Sequence, residues 1–253
     1  MKDPTSRFSN RVDNYIKYRP SYPSQVLEHL EAECGLTPES LIADVGSGTG
    51  ILTRLFLDHQ NDVYAVEPNT EMRRAAESFL KDAPHFHSIN ATAEETPLTA
   101  DYFDFILAGQ AFHWFDRDRA KTEFQRILKP QGWVVLIWNE RKIDSTPFLV
   151  AYEEMLLEFA TDYQEINHTN ISSVDFAQFF EPHPVRNHTI PNSQTFDFPA
   201  LKGRLLSSSY CPHQEEPGYE DIMKCLREIF ERNETNGTVS FEYDTNLFYG
   251  HIK

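Results

Sequence analysis

The chain has 253 residues, 40% of them apolar, and 39 acidic against 23 basic side chains give a net charge of −16. That length supports one large domain with its own core. The acidic balance argues against a protein that tracks nucleic-acid phosphates, which needs clustered Lys and Arg, and favours a small-molecule partner. No apolar run is long enough to span a membrane, and the first ten residues lack the apolar stretch of a secretory signal. Cys34, Cys211 and Cys225 are few, odd in number and without metal-ligand spacing, so reduced thiols in a cytoplasmic protein with no bound metal are expected.

In chain order, residues 1–23 are polar with interleaved Phe8, Tyr15, Tyr18 and Tyr22, and Pro20 and Pro23 stop any helix there. Val26, Leu27 and Leu30 predict a helix over 24–33, closed by Gly35. An alternation then begins. The apolar run at 41–45 reads as a strand, followed by a helix near 50–59, a strand at 62–66 and a helix near 70–80 capped by Asn69 or Thr70. Short strands are expected at 85–89 and 104–108. Asp116 caps a helix with Ala120, Phe124, Ile127 and Leu128 on one face, ended by Pro130 and Gly132, and WVVLIW at 133–138 is a fully apolar fifth strand. Repeated units of this length predict a parallel sheet with helices on both faces.

Past residue 140 the rhythm changes. Ser145, Thr146 and Pro147 open a helix reaching about residue 160, and residues 161–183 are polar and irregular. A strand at 184–191, helices at 198–207 and 219–232, and a last strand over 238–251 follow. The Asn236-Gly237 turn before that strand favours antiparallel placement.

The stretch LIADVGSGTG at 41–50 carries the first chemical signal. Glycines at 46, 48 and 50 after a strand let a ligand lie against the turn, and the helix that follows aims its N-terminus there. A dinucleotide fingerprint, G-x-G-x-x-G, fails in both registers, at Ile51 and at Thr53, and a P-loop fails at Ile51. What remains is D-x-G-x-G-x-G, with Asp44 before the first glycine. An acid there suits a ligand with an ammonium group and no pyrophosphate, such as a methionine-derived tail. Glu67, ending the second strand, can accept both hydroxyls of a ribose. Thr92, Ala93 and Glu94 follow the third strand, where an adenine edge would lie.

These motifs resemble those of the class I S-adenosylmethionine-dependent methyltransferases. DVGSGTG is similar to that family's first motif, VEPN to its ribose motif, ATAEETPL to its adenine loop, FDFILAGQAFHWF to its fourth-strand motif and LKPQGWVVLIW to its fifth strand. The resemblance covers residues 8 to 140 closely and the remainder loosely. Within the family, YIKYRPSYP and QAFHWF resemble a small-molecule group that includes the trans-aconitate methyltransferases. The resemblance implies a Rossmann-like, doubly wound, seven-stranded sheet, mostly parallel, with the last strand antiparallel and inserted before the sixth. It implies a single domain over 1–253, with an N-terminal cap at 1–35 and a substrate lid at 141–235, and S-adenosyl-L-methionine as cofactor.

By the same resemblance Gly46, Ser47 and Gly48 approach the methionine portion, Asp44 faces its ammonium, and Glu67 with Pro68 holds the ribose. Met72 packs beside the adenine, whose edge meets Thr92, Ala93 and Glu94. Arg19 is expected to pair with the cofactor carboxylate or an acidic substrate, and Tyr15 to close the pocket. Gln110, His113, Trp114 and Phe115 follow the fourth strand at the sheet edge where ligands bind, with Trp138, Asn139 and Glu140 ending the fifth beside them. His113 is a candidate general base, with a hydrogen-bonded wall residue as the reading favoured over it. No D/N-P-P-Y/F tetrapeptide follows the fourth strand, as the resemblance would demand of an amino-methylating nucleic-acid enzyme. The expected reaction is in-line transfer of a methyl to a carboxylate or hydroxyl oxygen by a monomer or homodimer. The competing expectation is a regulatory protein that binds the cofactor without turnover, motivated by the lack of an assignable base; a dehydrogenase ranks last.

Overall fold

A computed structural model describes residues 17–160, 163, 173–208, 210–212 and 214–253. Helix α1 (Gln25–Cys34) precedes an alternating run of β1 (Leu41–Val45), α2 (Ile51–Asp58), β2 (Asp62–Val66), α3 (Thr70–Phe79), β3 (Phe86–Ile89), β4 (Phe103–Gly109), α4 (Arg117–Ile127) and β5 (Leu128–Arg141). The second part holds α5 (Pro147–Phe159), α6 (Ser173–Phe180), β6 (Arg186–Phe196), α7 (Phe198–Leu206), α8 (Tyr219–Asn233) and β7 (Val239–Gly250). The strands form one sheet in the order β3-β2-β1-β4-β5-β7-β6. The first five are mutually parallel, and β7 runs antiparallel to both neighbours, between β5 and β6. The expected doubly wound sheet, with its last strand inserted before the sixth, is therefore present.

The pleat divides the core in two. Ala43, Val45, Ile106, Ala108, Val134 and Leu136 face α4 and α6, while Ile42, Phe105, Leu107, Val135 and Ile137 face α1 and α2. A third cluster lies beyond β5, where Phe241 and Tyr243 of β7 meet α5, α7 and α8. Local signals explain the helix ends. Gly35 closes α1 in the left-handed region at φ 69°, donating to Leu30 O. Asn69 accepts from Glu71 and Met72 at the start of α3, and Thr146 from Leu149 at the start of α5.

Four boundaries differ from expectation. Leu128 opens β5 rather than continuing α4, because it pairs with Phe103 before a register shift. At its other end β5 runs on to Arg141, held there by β7 through the Arg141–Tyr243 pairing. The expected irregular stretch 161–183 contains α6, whose Phe176, Phe179 and Phe180 are buried. The strand expected to end at 191 continues through Pro191 to Phe196, which an edge strand tolerates because its outer N–H groups have no ladder to serve. The Asn236-Gly237 turn has both residues at positive φ, but it joins α8 to β7, whose antiparallel partners are β5 and β6.

Candidate functional site

The carboxyl ends of β1, β2, β4 and β5 open into one cavity of about 810 Å³ that continues past β5 to the middle of β7. Its β1 wall is the glycine turn. Gly46 and Ser47 donate their N–H groups to Val66 O at 2.8 and 3.1 Å, fixing the turn to the end of β2. Gly46 has φ +70°, and a Cβ there would stand 2.6 Å from the Ala111 Cβ. Gly48 has φ +57° and faces Met72, whose sulfur would lie 3.6 Å from an added Cβ.

Two buried acids face this turn. Glu67 accepts the Gly48 N–H on Oε2 at 2.9 Å and the Asn69 N–H on Oε1 at 2.8 Å. Burial raises its pKa, opposed by those two N–H bonds and by Arg73. Each oxygen retains a lone pair, so the carboxylate is fixed in place and still able to accept a diol. Asp44 is fully buried; Oδ2 accepts the Thr53 hydroxyl at 2.6 Å and Oδ1 has no partner. Burial pushes this carboxyl up to about 7, against the Thr53 hydrogen bond and with Glu67 adding to the rise. A bare, desolvated carboxylate oxygen on a cavity wall is the place where a ligand cation compensates a charge the protein leaves uncompensated. The residues present therefore fit an aminoacyl-nucleoside cofactor: ammonium at Asp44, diol at Glu67.

Pro68 and Met72 continue that wall, and Thr92, Ala93 and Glu94 border the same space. Glu94 also has a structural task, since its Oε1 accepts the Asp116 N–H at 3.0 Å and ties the loop after β3 to the start of α4. Gln110 sits at φ 55°, a left-handed position unusual for a side chain of its size. Its N–H donates to Ile137 O, its Nε2 donates to Asn139 O at 3.2 Å, and its buried Oε1 has no partner. His113 lies on the cavity wall with its ring 4.6 Å from that of Trp114, which is 40% exposed. Trp138 is buried edge-on to Phe112 and Phe176.

Asn139 borders the cavity, but its amide is committed elsewhere. Oδ1 accepts from Thr245 at 2.5 Å and from Asn192 at 3.3 Å, and Nδ2 donates to Ser21 O at 3.3 Å. It knots β5, β6, β7 and the N-terminal segment together. Arg19 lines the cavity and donates to Ser207 O at 3.2 Å, on the β7 side. The segment containing it also packs where Tyr18 covers Gly203 and the Tyr22 hydroxyl lies against Gly109. Tyr15, expected to close the pocket, lies outside the described residues.

The far end of the cavity holds residues that sequence reasoning missed. Arg141 is ion-paired with Glu153 and donates to the Tyr163 hydroxyl at 3.1 Å. Arg204 is buried beside Tyr243 and donates to Ser208 Oγ at 3.2 Å. Tyr210 and Tyr243 complete this wall. A signal was available for Arg204: it sits three residues after Leu201 and beside Leu205, on the apolar stripe of α7 where helix periodicity calls for another apolar side chain. Among the described residues no group of three or more His, Cys, Asp or Glu is placed to hold a metal, and no helix is long and apolar enough to cross a membrane.

Residues 43–136 match a family described as a methyltransferase domain. An uncharacterized methyltransferase of Schizosaccharomyces pombe is 33% identical over 150 residues, 59% of this chain and 58% of that protein. One of Mycobacterium tuberculosis is 36% identical over 140 residues, 55% of each chain. The match thus spans just over half the length of these curated relatives. Among solved structures, a protein of Anaeromyxobacter dehalogenans described provisionally as a type II methyltransferase superposes with a TM-score of 0.70 at 21% identity, covering 93% of this chain and 98% of that one. At that identity the likeness is one of fold.

Proposed function

We propose that the chain is an S-adenosylmethionine-dependent methyltransferase acting on a small-molecule oxygen acceptor, similar to the trans-aconitate group, in a cytoplasmic monomer or homodimer. The observation that carries the reading is the bare Oδ1 of a fully buried Asp44 on the same cavity wall as the N–H-fixed carboxylate of Glu67. The methyltransferase-domain match over 43–136 spans both acids. When bound, S-adenosylmethionine supplies an electrophilic methyl on a sulfonium.

The chain's own residues do the rest by placement. Asp44 and Glu67 fix the two ends of the cofactor, with the glycine turn beneath and Met72 and Ala93 against the base. Gln110, His113 and Trp138, at the ends of β4 and β5, bound the space where an acceptor meets the methyl. Holding nucleophile, methyl and sulfur in line supplies roughly 7–11 kcal/mol of such a barrier. The aromatic wall of Trp114, Trp138 and Phe176 would exclude water from a cationic cofactor and an anionic acceptor held there. A carboxylate acceptor needs no base; for a hydroxyl acceptor, His113 takes the proton on a ring nitrogen. Residues 141–235 set acceptor specificity.

A regulatory protein that binds cofactor without turnover has no use for the arm of the cavity beyond β5, which the cofactor does not need. Calorimetric titration with S-adenosylhomocysteine tests the cofactor half. Binding in the micromolar range with one site per chain is expected, and a blank titration alongside NAD binding would replace this reading with a dehydrogenase.

A further inference from the structure

Beyond β5 the cavity carries a cation, Arg204, that has no carboxylate partner among the described residues. Arg204 is 6% exposed. Its hydrogen-bonding neighbours are neutral hydroxyls: Ser208 Oγ at 3.2 Å, Ser207 Oγ at 3.5 Å and the hydroxyl of Tyr243. Its Nε has no hydrogen-bond partner. On the same wall Arg141 is paired with Glu153 and Lys142 with Asp244. Burial works against the Arg204 charge, and the neutral hydroxyls around it supply hydrogen bonds but no counter-charge. A desolvated guanidinium that stays charged and keeps an open donor calls for an anion, and its planar fork suits a carboxylate.

Position separates this anion from the cofactor. Arg204 lies against Phe241 and Tyr243 of β7, whereas Asp44 and Glu67 end β1 and β2. From β1 to β7 the sheet takes three strand intervals, roughly 14 Å at the usual spacing. From β4, whose end bounds the methyl, it takes two, roughly 10 Å.

Resting on the methyltransferase reading, we propose that Arg204 anchors a carboxylate of the acceptor, and that this carboxylate is a different group from the oxygen that is methylated. The acceptor is then an anionic molecule with two functional ends: a nucleophilic oxygen over β4 and β5, and a carboxylate some ring-length or short-chain distance away over β7. Arg19, whose guanidinium donates to Ser207 O on the same turn, adds positive potential to that end.

The test uses the full chain saturated with S-adenosylhomocysteine, titrated with short hydroxy acids, dicarboxylates and phenolic acids, each beside its carboxamide. Labelled-methyl transfer from the cofactor to the same panel is measured in parallel. The acids are expected to bind and be methylated, and the singly amidated forms lacking the anchoring carboxylate to lose on the order of 100-fold. R204M should reproduce that loss for the acids while leaving S-adenosylhomocysteine affinity within about threefold, with R204K intermediate because it keeps charge without the fork. Carboxamides accepted as well as acids, or a panel wholly unbound by the cofactor-loaded protein, would overturn the proposal. So would R204M weakening S-adenosylhomocysteine as strongly as it weakens the acids, which would put Arg204 on the cofactor's own carboxylate. The acid–amide comparison needs no variant, so a misfolded R204M does not remove the test. A wild-type protein that fails to bind S-adenosylhomocysteine marks failure of the underlying reading instead.

Discussion

At the β1–β2 end of the cavity, the groups that face a ligand are fixed by neighbours close in sequence. Glu67 is held by Gly48, 19 positions away, and Asp44 by Thr53, nine away. At the β7 end the ties are long. Arg19 reaches Ser207 across 188 positions, Asn192 reaches Ser21 across 171, and Asn139 joins Thr245 across 106. The first end is a turn whose backbone geometry dictates its residues; the second is an assembly of side chains from elements brought together only by the complete sheet. A site of the first kind suits an invariant cofactor, and one of the second kind lets the acceptor change while the fold stays.

The comparison can be broken at either end. The largest effect is expected at the turn. Gly46→Ala places a Cβ 2.6 Å from the Ala111 Cβ at a φ of +70°. It should destabilise the free protein by about 1–3 kcal/mol and abolish measurable S-adenosylhomocysteine binding, read by thermal unfolding and calorimetry. Full-strength binding by this variant would mean the turn is not the cradle. Glu67→Ala comes next. Losing charged hydrogen bonds to a diol, at about 1.5–3 kcal/mol, should weaken S-adenosylhomocysteine by roughly 10–100-fold.

A pH titration probes Asp44 without mutation. Its folded pKa, about 7, lies above the ordinary carboxylate value of 3.8. Between those values the folded protein holds a proton that the unfolded chain has released. The stability of the ligand-free protein should therefore fall as pH rises from about 4 to about 7 and then level off, with Asp44→Asn flattening the trend. Cofactor binding runs the other way. Affinity should drop about tenfold per pH unit below 7, as the carboxyl must ionise to receive an ammonium. Buffers of different ionisation enthalpy should report a proton released on binding near pH 6. A pH-independent affinity would remove Asp44 from the ammonium site.

The smallest effect is expected where the N-terminal segment docks. Gly203→Ala puts a Cβ 2.1 Å from the Tyr18 ring. Displacing that ring should raise an acceptor KM several-fold, with S-adenosylhomocysteine affinity nearly unchanged and a stability loss of about 1–3 kcal/mol. Equal losses for cofactor and acceptor would show that the segment serves the whole cavity rather than its β7 end.

This asymmetry also explains how much the sequence disclosed. Strands β1 and β2 are legible to the residue, and the cap of α3 to one of two, Asn69 or Thr70, because apolar runs and turn chemistry are local. That Asp44, Gly46 and Glu67 border one cavity was legible for the same reason, as motif spacing reports local geometry. Helix α6 was not, since the order of Phe176 and Phe179 comes from Phe112, more than 60 positions earlier, and not from helix periodicity. Asn139 borders the cavity, as its place at the end of β5 suggests, but that its amide is held by partners in β6, β7 and the N-terminal segment is not legible locally. Arg204 carried one local sign, a charge on an apolar helix stripe, but its lack of a matching carboxylate appears only once β7 and α7 meet.

The division of the cavity is tested most directly by titrating S-adenosylhomocysteine into the wild-type chain, Glu67→Ala and Arg204→Met under one set of conditions. The account predicts tight binding by the wild type, a roughly 10–100-fold loss in Glu67→Ala and little change in Arg204→Met. Unchanged affinity in Glu67→Ala, or an equal loss in Arg204→Met, would contradict it.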